Sequence, residues 1–305
     1  MRILFIGDIV GSPGRAIVHD RLADLVATQQ IDLVIANCEN AASGFGITPR
    51  LAQELLDAGI HVLTGGNHIF DRREILEFFP HEPRLLRPAN FPAENPGSGL
   101  YLGEITPRPR TAGFQPATAL PASEKNTSGA ASPAPAVESS LSLATSHSPL
   151  STAVKYAVLN LQGRVFMAAN DCPFKTADRE LARIPADVKV IFVDFHAETT
   201  SEKIAMGWYL DGRVTAMVGT HTHVATADER VLPGGTAHIT DVGMTGPHAG
   251  VIGMAKDPIL GKFLDGLPTR FAVAEGDVRM NCVVVDADAI TGKASAISRL
   301  CLRID

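Results

Sequence analysis

Short, uninterrupted apolar runs recur along the chain, and each one stops at small or polar residues. Ile3-Leu4-Phe5-Ile6 gives way to Gly7-Asp8, Leu33-Val34-Ile35-Ala36 to Asn37-Cys38-Glu39-Asn40, and His61-Val62-Leu63-Thr64 to Gly65-Gly66-Asn67-His68. Val188 to Val193 is followed by Asp194-Phe195-His196, and Ala216 to Gly219 is soon followed by His221-Thr222-His223. A run without polar alternation marks a strand covered on both faces. Between the runs, Ile17, Val18, Leu22, Leu25 and Val26 have helical spacing within Arg15 to Thr28. A second helix is opened by Pro49, carries Leu51, Leu55 and Leu56, and is capped by Gly59. Val278 to Ile304 alternates as antiparallel strands do. These patterns predict an α/β layered domain with a mixed sheet or two stacked sheets.

Residues 106–152 break the pattern. Roughly two-thirds of them are Ser, Thr, Ala, Pro or Gly, too little apolar surface to offset chain entropy. Seven prolines fall here, which block helices and sheet ladders alike. A disordered insertion between two strands of one domain spanning residues 1–305 is expected. The chain as a whole has an ordinary globular composition, 45% hydrophobic and 20% charged. A net charge of −6 argues against a dominant nucleic-acid-binding face. No apolar run approaches the roughly 18 residues of a membrane span, and the four apolar residues after Arg2 are too few for a secretory core. The four cysteines, Cys38, Cys172, Cys282 and Cys301, form no CxxC pair, so a zinc finger, a redox motif or a disulfide framework is unsupported. A reduced, cytoplasmic protein is the expectation.

In open α/β sheets, ligands bind beyond the carboxyl ends of the strands. Five strand ends here deliver Asp, Glu, Asn and several His to one rim. Carboxylate and amide oxygens with imidazole nitrogens suit Fe, Mn or Zn rather than a thiolate site. Two ions about 3.5–4 Å apart need a bridging carboxylate and leave positions open for water and substrate. Asp8, Glu39, Asn67, His196, His221 and His223 meet that demand. Taken singly, each has a plainer reading: Asp8 a turn or cap residue, Glu39 and Asn40 solvated loop residues, Asn67 a left-handed turn, His196 a hydrogen-bonded core histidine. Their joint occurrence at successive strand ends favours the metal site. His19, His61, His81, His147 and His238 read as structural, while His248 lies near a Gly-rich loop and is a weaker pocket candidate. The Gly7, Gly11 and Gly14 spacing fits neither a dinucleotide fingerprint nor a P-loop.

GDIVGSPGR (7–15), NCENAASGFGIT (37–48), GGNHIFD (65–71), RPANFP (87–92), DFHAETTSEK (194–203), GTHTHVATADE (219–229) and DVGMTGP (241–247) resemble the YmdB-like branch of the calcineurin-like metallophosphoesterases. The resemblance covers residues 1–104 and about 154 onward. It implies a four-layer α/β/β/α sandwich with a dinuclear metal centre. One ion is expected on Asp8, Glu39, Asn40 and His223, the other on Glu39, Asn67, His196 and His221, with Glu39 bridging and His68 catalytic. The implied activity is hydrolysis of 2′,3′-cyclic nucleotides, with a 3′-nucleotide as product, by attack of a metal-bound hydroxide. Two divalent or trivalent ions, Fe or Mn before Zn, and a homo-oligomer acting on a small phosphodiester follow from the same likeness. Alternatives on the same scaffold are a phosphomonoesterase, a nuclease, or a slow-turnover regulator that binds RNA or a partner. Cys38 stands where the branch usually has Gly and Phe70 where it has Trp, which bears on pocket shape. Asp71 is expected either to orient His68 or to cap a helix beginning near Arg72. Thr199, Thr200, Ser201, Thr245 and Gly246 are candidate phosphate or ribose contacts.

Overall fold

A computed structural model of the chain describes residues 1–109 and 153–304. In chain order the elements are β1 (Arg2–Ile6), α1 (Gly11–Thr28), β2 (Leu33–Asn37), α2 (Pro49–Asp57), β3 (Val62–Thr64), α3 (Ile75–Phe78), β4 (Leu100–Ile105) and β5 (Val154–Gln162). They continue as α4 (Pro173–Leu181), β6 (Val190–His196), α5 (Thr200–Leu210), β7 (Ala216–Thr220), β8 (Arg230–Val231), β9 (Ala237–Ile239), β10 (Thr245–Pro247), α6 (Lys256–Asp265), β11 (Val278–Ala287) and β12 (Ala294–Arg303). The strands form two mixed six-stranded sheets. In the first, β1, β2 and β3 run parallel and β11 lies antiparallel beside β1, with β10 and β12 paired to β11. In the second, β5, β6, β7 and β9 run parallel, edged by antiparallel β4 and β8.

The all-apolar runs are explained by three cores. Because strand side chains alternate between faces, Ile3, Phe5, Leu33 and Ile35 meet Val158, Phe192, Ala216 and Val218 of the other sheet in a shared core. Phe5 and Phe192 stack there at 5.3 Å. The alternate residues Leu4, Ile6, Val34 and Ala36 pack on Ile17, Leu22 and Leu55 of α1 and α2. Leu159, Leu161, Val193 and Phe195 pack on Ala177 of α4 and on Met206 and Leu210 of α5. Cys38 belongs to the core under α1 and α2, and the half-buried Phe70 packs against it.

Local signals set several boundaries. Thr48 Oγ1 accepts the Leu51 N–H at 3.3 Å to cap α2, Pro49 opens it, and Gly59 leaves it at φ +106°. α1 begins at Gly11, four residues before the apolar spacing suggests, because Pro13 is tolerated in a first turn. No helix begins at Arg72: α3 starts at Ile75 with Glu74 before it, and the Asp71 side chain is engaged elsewhere. Thr245–Pro247 is a buried strand rather than a Gly-rich loop, and His81 ends a single 3-10 turn.

Of the expected 106–152 insertion, residues 110–152 lie outside the described residues. The described chain on either side is a strand pair, with Ile105 opposite Val154. That pair sits at the amino end of β5, whereas Gln162 at its carboxyl end lies opposite His196. Eight residue steps at about 3.3 Å each put the two ends roughly 26 Å apart.

Candidate metal centre

The core between the sheets turns polar toward the carboxyl ends of the strands. Continuing the inward-facing series of β2, β3, β5, β6 and β7 reaches Asn37, Thr64, Asn160, Asp194 with His196, and Thr220, all buried. Asp194 ties the two sheets together. It accepts from Asn37 Nδ2 at 3.2 Å and Thr64 Oγ1 at 2.5 Å across the gap, and from Thr220 Oγ1 at 2.7 Å within its own sheet. Thr220 Oγ1 is also 2.9 Å from His196 Nδ1, which fixes the ring and aims Nε2 at the rim.

Three ligand atoms converge on His196 Nε2: Glu39 Oε1 at 2.9 Å, Asn67 Oδ1 at 3.0 Å and His221 Nδ1 at 3.0 Å. A second group adjoins it. His223 Nε2 lies 3.2 Å from Asn40 Nδ2 and 3.8 Å from Asp8 Oδ1, and Asn40 Nδ2 lies 3.4 Å from Glu39 Oε1. Glu39 thus stands between the two groups. Its other oxygen accepts the His68 backbone N–H at 2.8 Å, and His68 Nδ1 meets Asp71 Oδ2 at 2.8 Å. All seven sequence-derived ligand candidates and His68 therefore share one rim. Asn40 turns its amide nitrogen inward, so ligation through oxygen requires a half-turn of the amide.

Three observations fit this cluster to a cation. One ring N–H can serve only one of the three atoms facing His196 Nε2, so the set is over-supplied with ligand atoms. Asp8 Oδ1 is buried without a hydrogen-bond partner, the kind of orphan that a metal satisfies. Gly66 leaves room for the ring, since a Cβ there would lie 2.4 Å from His196 Nε2 and 2.5 Å from Glu39 Oε2. Electrostatics agree. Burial raises the Glu39 carboxyl, but the His196 ring outweighs it and holds the group down at about 2. Burial lowers His196, but Glu39 lifts it to about 9. His221 is pushed down to about 3 by burial and by His196. Burial pushes Asp8 up, against the pull of His223 and His196. Glu39, His196 and His221 have ligand atoms within 4.8 Å of one another.

Left-handed backbone falls on His221 (φ +100°) and His223 (φ +64°) rather than on Asn67. Such strain persists only where surroundings enforce it. The His221 N–H donates to Asp8 Oδ2 at 3.3 Å. Thr222 donates to Asp241 Oδ2 through Oγ1 at 2.7 Å and through N at 3.2 Å. The same oxygen takes Lys203 Nζ at 2.6 Å in an ion pair with side chains 0% and 1% exposed, while Asp241 Oδ1 accepts the Gly243 N–H at 2.8 Å. Spacing alone did not single out Lys203, Asp241, Asp194 or Glu198, whose Oε2 lies 3.0 Å from His221 Nε2. The available signal is a charge inside an apolar run, as at Asp194. Thr199 and Thr200 lie at the start of α5 and Thr245 is buried in β10, where its hydroxyl donates to Asn281 O at 3.2 Å.

The chain matches the profile of the family described as YmdB-like protein over residues 4–112 and 143–300. It belongs to that family. It is 43% identical over 305 residues to the 2′,3′-cyclic-nucleotide 2′-phosphodiesterase of Bacillus subtilis, a match covering 100% of this chain and 98% of that one. Among solved structures, a hypothetical protein of Thermus thermophilus aligns with a TM-score of 0.79 at 33% identity, over 100% of both chains. A novel phosphatase of Mycoplasma pneumoniae aligns at 0.79 and 30% identity, covering 99% of this chain and 93% of that one. Among the described residues no helix is long and apolar enough to cross a membrane.

Proposed function

We propose that this protein is a metal-dependent phosphodiesterase that opens 2′,3′-cyclic nucleotides at the 2′ bond, yielding 3′-nucleotides. The observation that carries the reading is the buried Glu39 carboxylate between two groups of N and O ligands at one rim, in a chain 43% identical to a phosphodiesterase of that specificity. On this reading the three cores separate the layers of a four-layer α/β/β/α sandwich of the calcineurin-like type, forming a single domain. Asp8, Asn40 and His223 would hold one ion, Asn67, His196 and His221 the other, and Glu39 both, with Fe or Mn preferred to Zn. Such a pair supplies charge neutralisation at the phosphate and an acidified water. A homo-oligomer in the cytoplasm is the working form expected, checked by light scattering of the purified protein and by cell fractionation.

The protein's own groups then have defined tasks. His68 sits beside ligand Asn67 and is anchored to Glu39 through its backbone N–H. Its Nδ1–H donates to Asp71, and in the imidazolium form the ring also carries an Nε2–H, the proton that passes to the departing 2′ oxygen and leaves the ring neutral. The Phe45 ring packs edge-on to His68 at 5.2 Å and limits its swing. Asp194 and Thr220 hold His196 in one orientation, as partners behind a ligand do. The test is hydrolysis of 2′,3′-cyclic AMP by metal-loaded protein beside Glu39→Gln. Turnover that needs metal, gives 3′-AMP and drops about a thousandfold in the variant, with circular dichroism unchanged, is expected for loss of a bridging ligand. Equal turnover by both proteins would sink the assignment.

A further inference from the structure

A cavity of about 360 Å³ opens directly beside the candidate metal centre, lined in part by His223, Val224, His248, Ile252, Arg279 and Asn281. His223 belongs to both. Its Nε2 faces Asp8 and Asn40, and its Nδ1 donates to Ile252 O at 2.9 Å on the cavity wall. Val224 and Ile252 carry apolar side chains that are 61% and 50% exposed. Ile252 holds φ +45°, a region that a β-branched residue enters only under constraint. The polar side of the cavity is preset. His248 Nδ1–H donates to Gly246 O at 2.9 Å, so its Nε2 accepts from Asn281 Nδ2 at 3.2 Å. Asn281 Nδ2 also donates to Met244 O at 2.8 Å. Both amide hydrogens are thereby used, and Oδ1 remains as a fixed acceptor. Arg279 is braced by Asp277 through Nε and Nη2 and adds a cation at the rim.

Exposed aliphatic walls, a fixed acceptor and a braced guanidinium, one residue from the phosphate-handling rim, match a flat heteroaromatic ring with polar edges. We propose that this cavity is the base subsite of the enzyme, where the nucleobase lies against Val224 and Ile252 and its edge is met by Asn281 and Arg279. This rests on the cyclic-nucleotide reading given above. A base bound here contributes through KM and leaves the reacting ring to the metal rim.

Ile252→Gly is the discriminating variant, because glycine accepts the left-handed φ and keeps the carbonyl that receives His223. Rates are compared for the four 2′,3′-cyclic nucleotides and for the 2′,3′-cyclic phosphate of methyl riboside, which has the same reacting ring and no base. The expected result is a KM about tenfold higher for the nucleotides, the size of a lost apolar contact, with kcat within twofold and the loss confined to substrates with a base. Arg279→Gln is expected to reorder preference among the four bases. Equal losses on the base-less ester, or no change on any substrate, overturn the base subsite while leaving the phosphodiesterase intact. Wild-type protein that opens none of these cyclic phosphates overturns the substrate reading, and this one with it.

Discussion

The two histidines in left-handed backbone show how a cluster of candidate ligands is held against local preference. Lys203 lies in a helix and Asp241 follows a short strand 38 positions later, yet together they anchor Thr222 between His221 and His223. Removing one member of a buried ion pair strands the other. Lys203→Met is therefore expected to lower unfolding free energy by about 3–5 kcal/mol in denaturant melts. It should also weaken metal retention, measured by elemental analysis after gel filtration, because Thr222 loses a fixed acceptor. Unchanged metal content in a destabilised variant would show that the loop keeps its geometry unaided. The ligand candidates were legible because each stands just past, or at the end of, an apolar run. Lys203 was not, since a lysine inside a helical segment reads as solvated until its distant partner is known. Nor was the role of Asp71 decidable, because a carboxylate three residues beyond a histidine fits an ion pair and a helix cap equally well.

At the scale of elements, the strand positions were readable because burial on two faces removes alternation, as in β1, β2 and β7. β6 was harder. It begins at Val190 and runs on through Asp194 and His196, and those polar residues belong to the strand because the inter-sheet core is itself polar at that end. Hydrophobic pattern alone stops such a strand too early. The strand pair β4–β5 has a consequence of its own. Ile105 and Val154 are direct partners at the end of the sheet away from His196. Joining residue 109 to residue 153 by a short Gly-Ser turn should leave kcat/KM for 2′,3′-cyclic AMP within about twofold, since loop closure depends only weakly on length. A larger fall would mean that residues 110–152 take part in the site.

At the scale of the whole molecule, two histidines held below their ordinary range weaken the fold in acid. His61 is held below its ordinary 6.5 by burial and then by the Arg108 guanidinium, and its Nδ1 accepts the Val34 N–H at 3.1 Å. His238 is lowered by burial, which outweighs its bond to Met217 O. Both take up protons more readily in the unfolded chain. Their contribution is complete above pH 6.5 and is lost as pH falls through 6.5 toward the lower folded values, by at most about 1.4 kcal/mol per pH unit each. Urea midpoints should fall between pH 7.5 and 5.5, with a shallower slope in the His61→Gln, His238→Gln double variant. An unchanged slope would place acid sensitivity elsewhere. The first sheet carries a different consequence, one of timing. β1 sits between β2 and β11, with Arg2 opposite Asp286 and its guanidinium paired across 284 positions of sequence. At synthesis rates of about 5–20 residues per second, one edge of this apolar strand stays open on the ribosome for tens of seconds. The rim that gathers Asp8, Glu39 and Asn67 waits in turn for His221 and His223, so the nascent chain spends most of its synthesis with an incomplete ligand set and one apolar strand edge unpaired.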